Sequence, residues 1–495
     1  MWLLSGASAF MTPRLTLTHA AFRSFGPIRM SSAPPATDEL LIFADLDISS
    51  DLRRNIAKLG HTTATPVQTV SLPPLLAGED VVAKARTGTG KTLAFLIPTI
   101  ERLMLANDKS GQIRALVLSP TRELASQIAE AAEALVAGSD VSTACIFGGT
   151  SMAKDRRMLA AKPDLLVATP GRLWDHMQNE GLTPRLRGLQ TLILDEGDRL
   201  LDAGFSKQIG EIVSCLPRRR QSLCFSATMP PALSKVLSQT LRADHRVLDC
   251  VGGAAESETA SKIDQSVIVT EMNAVPGLAA ALVRRELQEG GGKGKVVVFC
   301  PTANQAQFVS ELFSAMSVKN APLHSRKSQA YRSRVSAEFR DKVSGVLVAS
   351  DVAARGVDYP DVSLVVQLGA PDTREQYVHR TGRTGRAGKG GRALLLLNDW
   401  EERATMKMLS GLPIKARDAG GGGSAAAAAE EAAAAVGRVE PDVRAKAYQA
   451  WLGYYKMKMR SFGWDNAALV ATANRFALGA LGLDEVPTLQ VRATD

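Results

Sequence analysis

The stretch Ala85-Arg86-Thr87-Gly88-Thr89-Gly90-Lys91-Thr92 stands between a short apolar strand, Asp80 to Ala83, and an apolar helix-like run, Leu93 to Ile100. Strand, glycine-rich loop and helix in that order make a P-loop. Its glycines let successive backbone N–H groups converge on phosphate oxygens, and the helix N-terminus adds its dipole. Lys91 reaches the outer phosphates and the Thr92 hydroxyl suits Mg²⁺. Thr87, Gly88, Thr89 and Gly90 are the cradle. A strand that crosses into a helix is the unit of a parallel sheet, so this loop decides for an α/β fold.

Downstream, the apolar run Thr191-Leu192-Ile193-Leu194 leads into Asp195-Glu196-Gly197-Asp198. At the end of a buried strand the first carboxylate can hold Mg²⁺ through its water shell, while the second orients and deprotonates the water that attacks a γ-phosphate. Loop and acidic pair together predict ATP hydrolysis, with Lys91, Asp195 and Glu196 as catalytic groups and Thr92 and Asp195 on the metal. The alternative for the acidic run alone is a solvated loop cap.

Over residues 40 to 410 these motifs resemble the DEAD-box ATP-dependent RNA helicases, with DEGD where the family name has DEAD and Ala85 where the general loop has Gly. The resemblance implies that Gly60 to Gln68 (GHTTATPVQ), including Thr65, reads adenine through the Gln68 amide, which both donates and accepts. Phe43, seventeen residues before Gly60, then either stacks on adenine or fills the core. It also implies single-strand RNA contacts at Pro120-Thr121-Arg122-Glu123-Leu124, Gly148-Gly149 and Thr169-Pro170-Gly171-Arg172. These follow the strand-like runs Ala115 to Leu118, Ala144 to Phe147 and Leu165 to Ala168. Hydroxyls, backbone N–H groups and arginines at strand ends suit phosphate and ribose oxygens, which fix register without reading sequence. Ser226-Ala227-Thr228 resembles the motif that couples hydrolysis to unwinding through Asp198 and His379.

A second strand/helix alternation starts near Ile263, with apolar runs Ser266 to Thr270, Lys295 to Phe299, Gly345 to Ala349, Ser363 to Leu368 and Arg392 to Leu397. In it, Ser350-Asp351-Val352-Ala353-Ala354-Arg355-Gly356-Val357-Asp358 resembles a family motif whose last aspartate, Asp358, meets the ATP ribose beside Gly356. Tyr377 to Arg386 contains the full HRxGRxGR pattern. Glycine-separated arginines on a turn can project several planar guanidiniums into one cleft, a fork that fits phosphate oxygens. Arg383 and Arg386 are accordingly expected as arginine fingers, worth about 10³ to 10⁵ in rate in other phosphoryl-transfer systems. Since they lie in a different domain from Lys91 and Glu196, hydrolysis is expected to wait for domain closure. Pro301-Thr302, His324-Ser325, Gln329, Arg332, Ser350 and Asp351 are the RNA contacts implied for this domain. Preference for RNA over DNA would come from the 2′-OH. Extra backbone freedom at Gly197 predicts an active ATPase with looser coupling of Asp198 to Ser226 and His379.

The fold expected is α/β, two tandem RecA-like domains of parallel strands flanked by helices, with a small helical C-terminal extension. The divisions are 37–250 and 263–412 for the domains, 251–262 between them, a Gly/Ala low-complexity linker at 413–440 and the extension at 441–495. A net charge of +9 favours polyanions through counterion release. Cys145, Cys215, Cys224, Cys250 and Cys300 lack CxxC spacing and read as reduced thiols. No apolar run approaches the roughly eighteen residues that span a bilayer. The cofactors implied are ATP and Mg²⁺, the partner is RNA, protein cofactors are left open, and a monomer is expected.

Residues 1–36 carry Arg14, Arg23 and Arg29, many Ser, Thr and Ala, and no acid before Asp38. That reads as a transit peptide for a mitochondrion or plastid, or, if translation starts at Met30, as a tail on a nuclear or cytoplasmic protein. The extension, with Tyr448, Trp451, Tyr454, Tyr455, Phe462, Trp464 and Phe476 at helical spacing, resembles that of organellar DEAD-box RNA chaperones. It reads as a cap docked on the second domain, as an RNA surface built on Lys456, Lys458 and Arg460, or as both. Against a helicase stand an ATP-gated RNA clamp, which would lack Glu196, Arg383 or Arg386, and a DNA helicase, separated only by nucleic-acid preference.

Overall fold

The computed structural model describes residues 40–85, 88–202, 204–250, 263–351, 359–385, 390–418 and 422–488. Thr87, Gly356, Asp358 and Arg386, the 251–262 connection and the 1–36 segment lie outside the described residues.

The apolar runs become two seven-stranded, wholly parallel sheets. The first has the order β3-β4-β2-β5-β6-β1-β7, from β1 (Val81–Lys84), β2 (Ala115–Leu118), β3 (Thr143–Ile146), β4 (Leu165–Ala168), β5 (Thr191–Asp195), β6 (Gln221–Ser226) and β7 (Arg246–Asp249). The second has the order β10-β11-β9-β12-β13-β8-β14, from β8 (Ile263–Thr270), β9 (Lys295–Cys300), β10 (Ala321–Leu323), β11 (Gly345–Ser350), β12 (Val362–Leu368), β13 (Gly391–Asn398) and β14 (Ile414–Ala416). Helices cover both faces of each sheet, and so the strands read as near-continuous hydrophobic runs. Successive side chains serve opposite cores: Val81, Ala83, Val117 and Ile193 pack on one face, and Val82, Leu116, Leu118 and Leu192 on the other.

Register fixes where chemistry can gather. Lys84 is level with Ser226 and Asp195 with Phe225, so the P-loop, the acidic run and Ser226-Ala227-Thr228 all leave the sheet at its carboxyl edge. Open α/β sheets bind ligands at that edge.

The stretch 413–440 is not a spacer. Ile414–Ala416 pairs with β8 as the sheet's last strand, and Gly422–Val436 is a helix. Its alanines approach the helix Val275–Glu289 so closely that a Cβ at Gly277 would collide with the Ala428 carbonyl. Arg284 pairs with Glu431 across the contact. Small side chains allow backbone approach here, and what reads as low complexity is a packing surface.

The extension is a docked cap. Its helices Pro441–Lys456, Met459–Phe462 and Asn466–Arg475 bring Trp451, Tyr455, Phe462 and Trp464 around Trp400, with ring centroids 4.6 to 6.1 Å from it. Trp451, Tyr454, Tyr455 and Phe476 join the core of the second domain. Lys456 and Arg460 are exposed. Lys458 is not available to an RNA surface, for its ammonium donates to the Pro371 carbonyl at 2.7 Å and pairs with Asp372 at 3.1 Å.

Candidate active site and nucleic-acid interface

Gly88 (φ 78°) and Gly90 (φ 92°) take the left-handed backbone that the cradle needs. Gln68, 2% exposed, holds the cradle from behind. Its Nε2 donates to the Gly90 carbonyl at 2.9 Å, its Oε1 accepts from the Thr65 N–H at 2.8 Å, and the Thr65 hydroxyl donates to the Thr89 carbonyl at 2.7 Å. A Cβ at Gly90 would stand 2.5 Å from Gln68 Nε2. Motif and loop are therefore one unit, and Gln68 has one N–H left for another partner.

Lys91 begins the helix Lys91–Ala106. It is 7% exposed, yet among the described residues its Nζ meets no hydrogen-bond acceptor, and Glu196 Oε2 is likewise without a partner among them. A buried ammonium and a buried carboxylate oxygen without partners are costly unless a ligand completes them. An anionic phosphate on Lys91 and a water on Glu196 fit these two atoms. Asp195 is fully buried at the end of β5, where burial pushes its carboxyl up to about 7 against the pull of Lys91. A divalent cation supported by Asp195 and the half-buried Thr92 would restore the ionised form. Glu196 turns into the left-handed region (φ 49°).

Asp198, Ser226, Thr228 and His379 come together as a network. Asp198 Oδ2 accepts from the Thr228 N–H at 3.1 Å and hydroxyl at 2.8 Å. The Asp198 N–H donates to Ser226 Oγ at 3.1 Å, and that hydroxyl donates to the Thr228 carbonyl at 2.7 Å. From the second domain, His379 brings Nε2 to 3.6 Å from Asp198 Oδ2 and accepts from Arg199 Nε on Nδ1 at 3.3 Å. Burial pushes the imidazole down, Asp198 pulls it back up, and Arg199 depresses it again. Burial also opposes ionisation of Asp198, but His379, Thr228 and Lys91 outweigh it and hold the carboxyl well below the usual range. The pair is thus an ionised carboxylate and a neutral ring with its proton on Nε2. Asp198 is held by its hydrogen bonds with Thr228 and Ser226, with His379 Nε2 at 3.6 Å, so these coupling contacts form with glycine at 197. Gly197 leaves room: a Cβ there would stand 2.8 Å from Cys224 Sγ.

Arg383 is buried and its Nε donates to the His379 carbonyl at 3.2 Å, behind the first domain's network. Both lie on or just after the helix Arg374–Thr381.

The strand-end contacts of the first domain converge. Thr121 caps the helix Arg122–Leu135, accepting from Leu124 N–H, and Arg122 lies over Gly148 and Gly149, such that a Cβ at Gly149 would strike its guanidinium. Thr169, Pro170 and Gly171 start the helix Pro170–Asn179 after β4. Arg172 braces the fold here, since its Nε donates to the Phe147 carbonyl at 3.2 Å and it pairs with buried Asp155 at 3.3 Å.

Several residues read as RNA or adenine contacts are committed elsewhere. Arg332 pairs with Glu123 at 2.6 Å, Gln329 Nε2 donates to the same carboxylate at 3.2 Å, and Arg122 donates to Gln329 Oε1 at 3.2 Å. This is a clasp between the two domains. Asp351 accepts Arg380 Nε and Nη2 at 2.7 and 2.6 Å in a buried fork. Ser350 beside it is buried, and its hydroxyl has no partner among the described residues. His324 faces Gln307 Oε1 at 2.9 Å, and Thr302 caps a helix by accepting from Gln305 N–H. Phe43 is 2% exposed within the first core, the other of its two readings. Arg199 and Gln376 carry interdomain or motif contacts that their sequence positions did not announce, while Glu123, part of the run read as an RNA contact, serves the clasp.

The DEAD/DEAH box helicase family profile matches residues 65–236, and that of the helicase conserved C-terminal domain matches residues 279–388. The chain is 40% identical over 472 residues to DEAD-box ATP-dependent RNA helicase 25 of Arabidopsis thaliana, across 91% of this chain and 83% of that protein. It is 42% identical over 442 residues to DEAD-box ATP-dependent RNA helicase 26 of the same plant, across 88% of this chain but 51% of the relative, and so spans about half of that relative's length. The solved structure of Mss116p with its NTE and C-tail deleted, bound to ssRNA and AMP-PNP, is 25% identical with a TM-score of 0.80 over 91% of this chain and 92% of that one.

Proposed function

Because the chain belongs to the DEAD-box RNA helicase family, we propose that it hydrolyses ATP to close two domains on single-stranded RNA and part short duplexes. The observation that carries this reading is the network joining Asp198 and Ser226 of the first domain to His379 of the second. Such a junction makes hydrolysis and closure one event.

Bound ATP with Mg²⁺ supplies the transferable phosphoryl group and a divalent counter-charge. Lys91 offers its ammonium to phosphate oxygens, and the glycine cradle adds backbone N–H donors. Glu196 holds a water through Oε2 and takes its proton there. Asp195 and Thr92 are the side chains for the metal. Arg383 adds a guanidinium when the domains close, with Arg386 as the second candidate. Closure excludes water and strengthens each of these charges. The strand-end surface of Thr121, Gly148, Gly149, Thr169 and Gly171 suits a sugar-phosphate backbone, which gives little sequence preference.

We take DEGD as a working variant of the family's acidic motif. The chain acts as a monomer, and its C-terminal cap is of the kind found on organellar RNA chaperones. Residues 1–36 direct import into a mitochondrion or plastid, a reading that a fluorescent fusion of that segment tests by its destination.

Mg²⁺-ATP turnover is measured without nucleic acid and with RNA or DNA single strands of equal length, beside Glu196→Gln. RNA-selective stimulation that the substitution abolishes is the expected outcome. ATP-dependent RNA retention without any hydrolysis by the natural chain would overturn the reading in favour of a clamp.

A further inference from the structure

A continuous polar path runs from the C-terminal extension to the helix that carries His379. It starts at Lys458, whose ammonium holds the Pro371 carbonyl at 2.7 Å and Asp372 at 3.1 Å. Asp372 gives its N–H to Gln376 Oε1 and takes Gln376 Nε2 on Oδ2 at 3.1 Å. The same Nε2 donates to Asp351 Oδ2 at 2.7 Å, and Asp351 grips Arg380. A second arm runs in parallel. The Tyr455 hydroxyl donates to Glu401 Oε1 at 2.6 Å, that oxygen accepts the Ala370 N–H at 2.8 Å, and the Tyr454 hydroxyl donates to the Ala370 carbonyl at 2.7 Å.

Both arms close on Ala370 to Asp372, the turn that delivers the chain from β12 into the helix Arg374–Thr381. Gly369 (φ 73°) makes the approach possible, since a Cβ there would stand 3.0 Å from the Tyr455 hydroxyl. Gln376, Arg380, Asp351 and Glu401 are buried, where an unmade polar contact is expensive, so the network admits few geometries.

The aromatic cluster around Trp400 packs the extension onto the second domain without using Lys458. Lys456 and Arg460 of the same stretch are exposed. The Lys458 side chain is instead 13% exposed, with its ammonium over the Tyr454 ring at 4.6 Å. We propose that the extension is a positioning element for the arginine helix, acting through Lys458, Asp372, Gln376, Asp351 and Arg380 to set His379 and Arg383 against the first domain. The role rests on the ATPase reading above, because what is positioned is that reading's arginine.

The test compares the full chain with Lys458→Met, which keeps the stem and removes the charge, with Lys458→Arg, and with Lys446→Met on the exposed side of the same extension. Two quantities are read: kcat and KM for ATP at saturating RNA, and hydrogen exchange of the amides of residues 374–381. Lys458→Met should lower kcat about tenfold or more with KM changed less than about twofold, since small misplacements of catalytic groups act on turnover. It should also speed exchange across that helix, while Lys458→Arg retains most of the turnover and Lys446→Met behaves as the natural chain. Unchanged kcat and exchange in Lys458→Met would overturn the proposal, and so would a lower melting temperature with turnover per folded molecule unaltered. Were the natural chain inactive, the ATPase reading would fall while exchange still decided the positioning role. Should Lys458→Met not fold, Asp372→Asn interrupts the same path at a half-exposed carboxylate and is judged by the same two readouts.

Discussion

Gly197→Ala restores the family's usual residue in the acidic motif, and the structure says that it should harm this protein. The introduced Cβ would stand 2.8 Å from Cys224 Sγ and 3.2 Å from Leu233 Cδ1. Carbon and sulfur rest at about 3.5 to 4 Å, so roughly 1 Å of movement is required. Cys224 is fully buried on β6, between β5, which ends in Asp195, and β1, which feeds the P-loop, and cannot withdraw without shifting one of them. Overpacking of this kind costs about 1 to 3 kcal/mol. The gain of alanine over glycine in a helix, about 0.5 to 1 kcal/mol, offsets only part. The net loss, about 0 to 2.5 kcal/mol and centred near 1, corresponds to a melting temperature lower by about 2 to 4 °C per kcal/mol for a domain of this size. Where the strain is relieved by moving the start of the helix Gly197–Asp202, Glu196 and Asp198 move with it, and kcat falls by as much as about 100-fold. Cys224→Ala removes the obstructing sulfur. The double variant should therefore recover about 1 kcal/mol or more over the sum of the single losses. Melting and RNA-stimulated ATP turnover of the natural chain, both single variants and the double variant measure this. Additivity within about 0.5 kcal/mol, or a Gly197→Ala protein that melts with the natural chain, would refute the steric argument.

Glu123→Ala removes the carboxylate that holds both Arg332 and Gln329. Stranding a buried guanidinium costs about 3 to 5 kcal/mol, so the closed population seen by interdomain fluorescence transfer with ATP and RNA should fall steeply, and an unchanged population would show that the clasp is idle. Burial, reinforced by Lys327, Arg326 and Arg332, pushes His324 down to about 4. Between the ordinary imidazole value of about 6.5 and that value the folded chain binds fewer protons than the unfolded one. Its contribution is thus full above about pH 6.5 and is lost as the pH falls, and His324→Gln should flatten the decline in melting temperature over this window. Gly277→Leu should force the helix Gly422–Val436 off its seat, exposing 417–440 to limited proteolysis, whereas a cleavage pattern like that of the natural chain would mean that the helix tolerates retreat.

The interiors of the sheets were legible because strands buried on both faces are written as unbroken apolar runs. Leu165 to Ala168, Ala115 to Leu118 and the end of β5 could be placed nearly to the residue. The three strands that carry no such mark are edges or short: Arg246–Asp249 is only half-buried, Ala321–Leu323 contains a proline, and Ile414–Ala416 shows two exposed residues of three. Phosphate chemistry was legible for a related reason, since a cradle, its lysine and an acidic strand end are local arrangements. What sequence could not supply were partners across the chain. Arg122 and Gln329 lie 207 positions apart, and nothing local distinguishes a polar side chain that meets RNA from one that meets the other domain.

The alanine run and Lys458 make the same point in opposite directions. Ala428 and Ala432 look like filler, yet their smallness lets one backbone lie against Gly277. Lys458 looks like one third of a basic patch, yet of the three charges it alone sits one helical turn from Tyr454 and within reach of Asp372. A charge on a surface helix is free to serve a polyanion only if its own fold makes no claim on it. That claim is set by the curvature of the neighbouring turn at Gly369, a three-dimensional property that composition does not carry. The extension and the arginine helix consequently form a single cooperative unit, and a substitution at Lys458 should reach Arg383 without either residue touching the other.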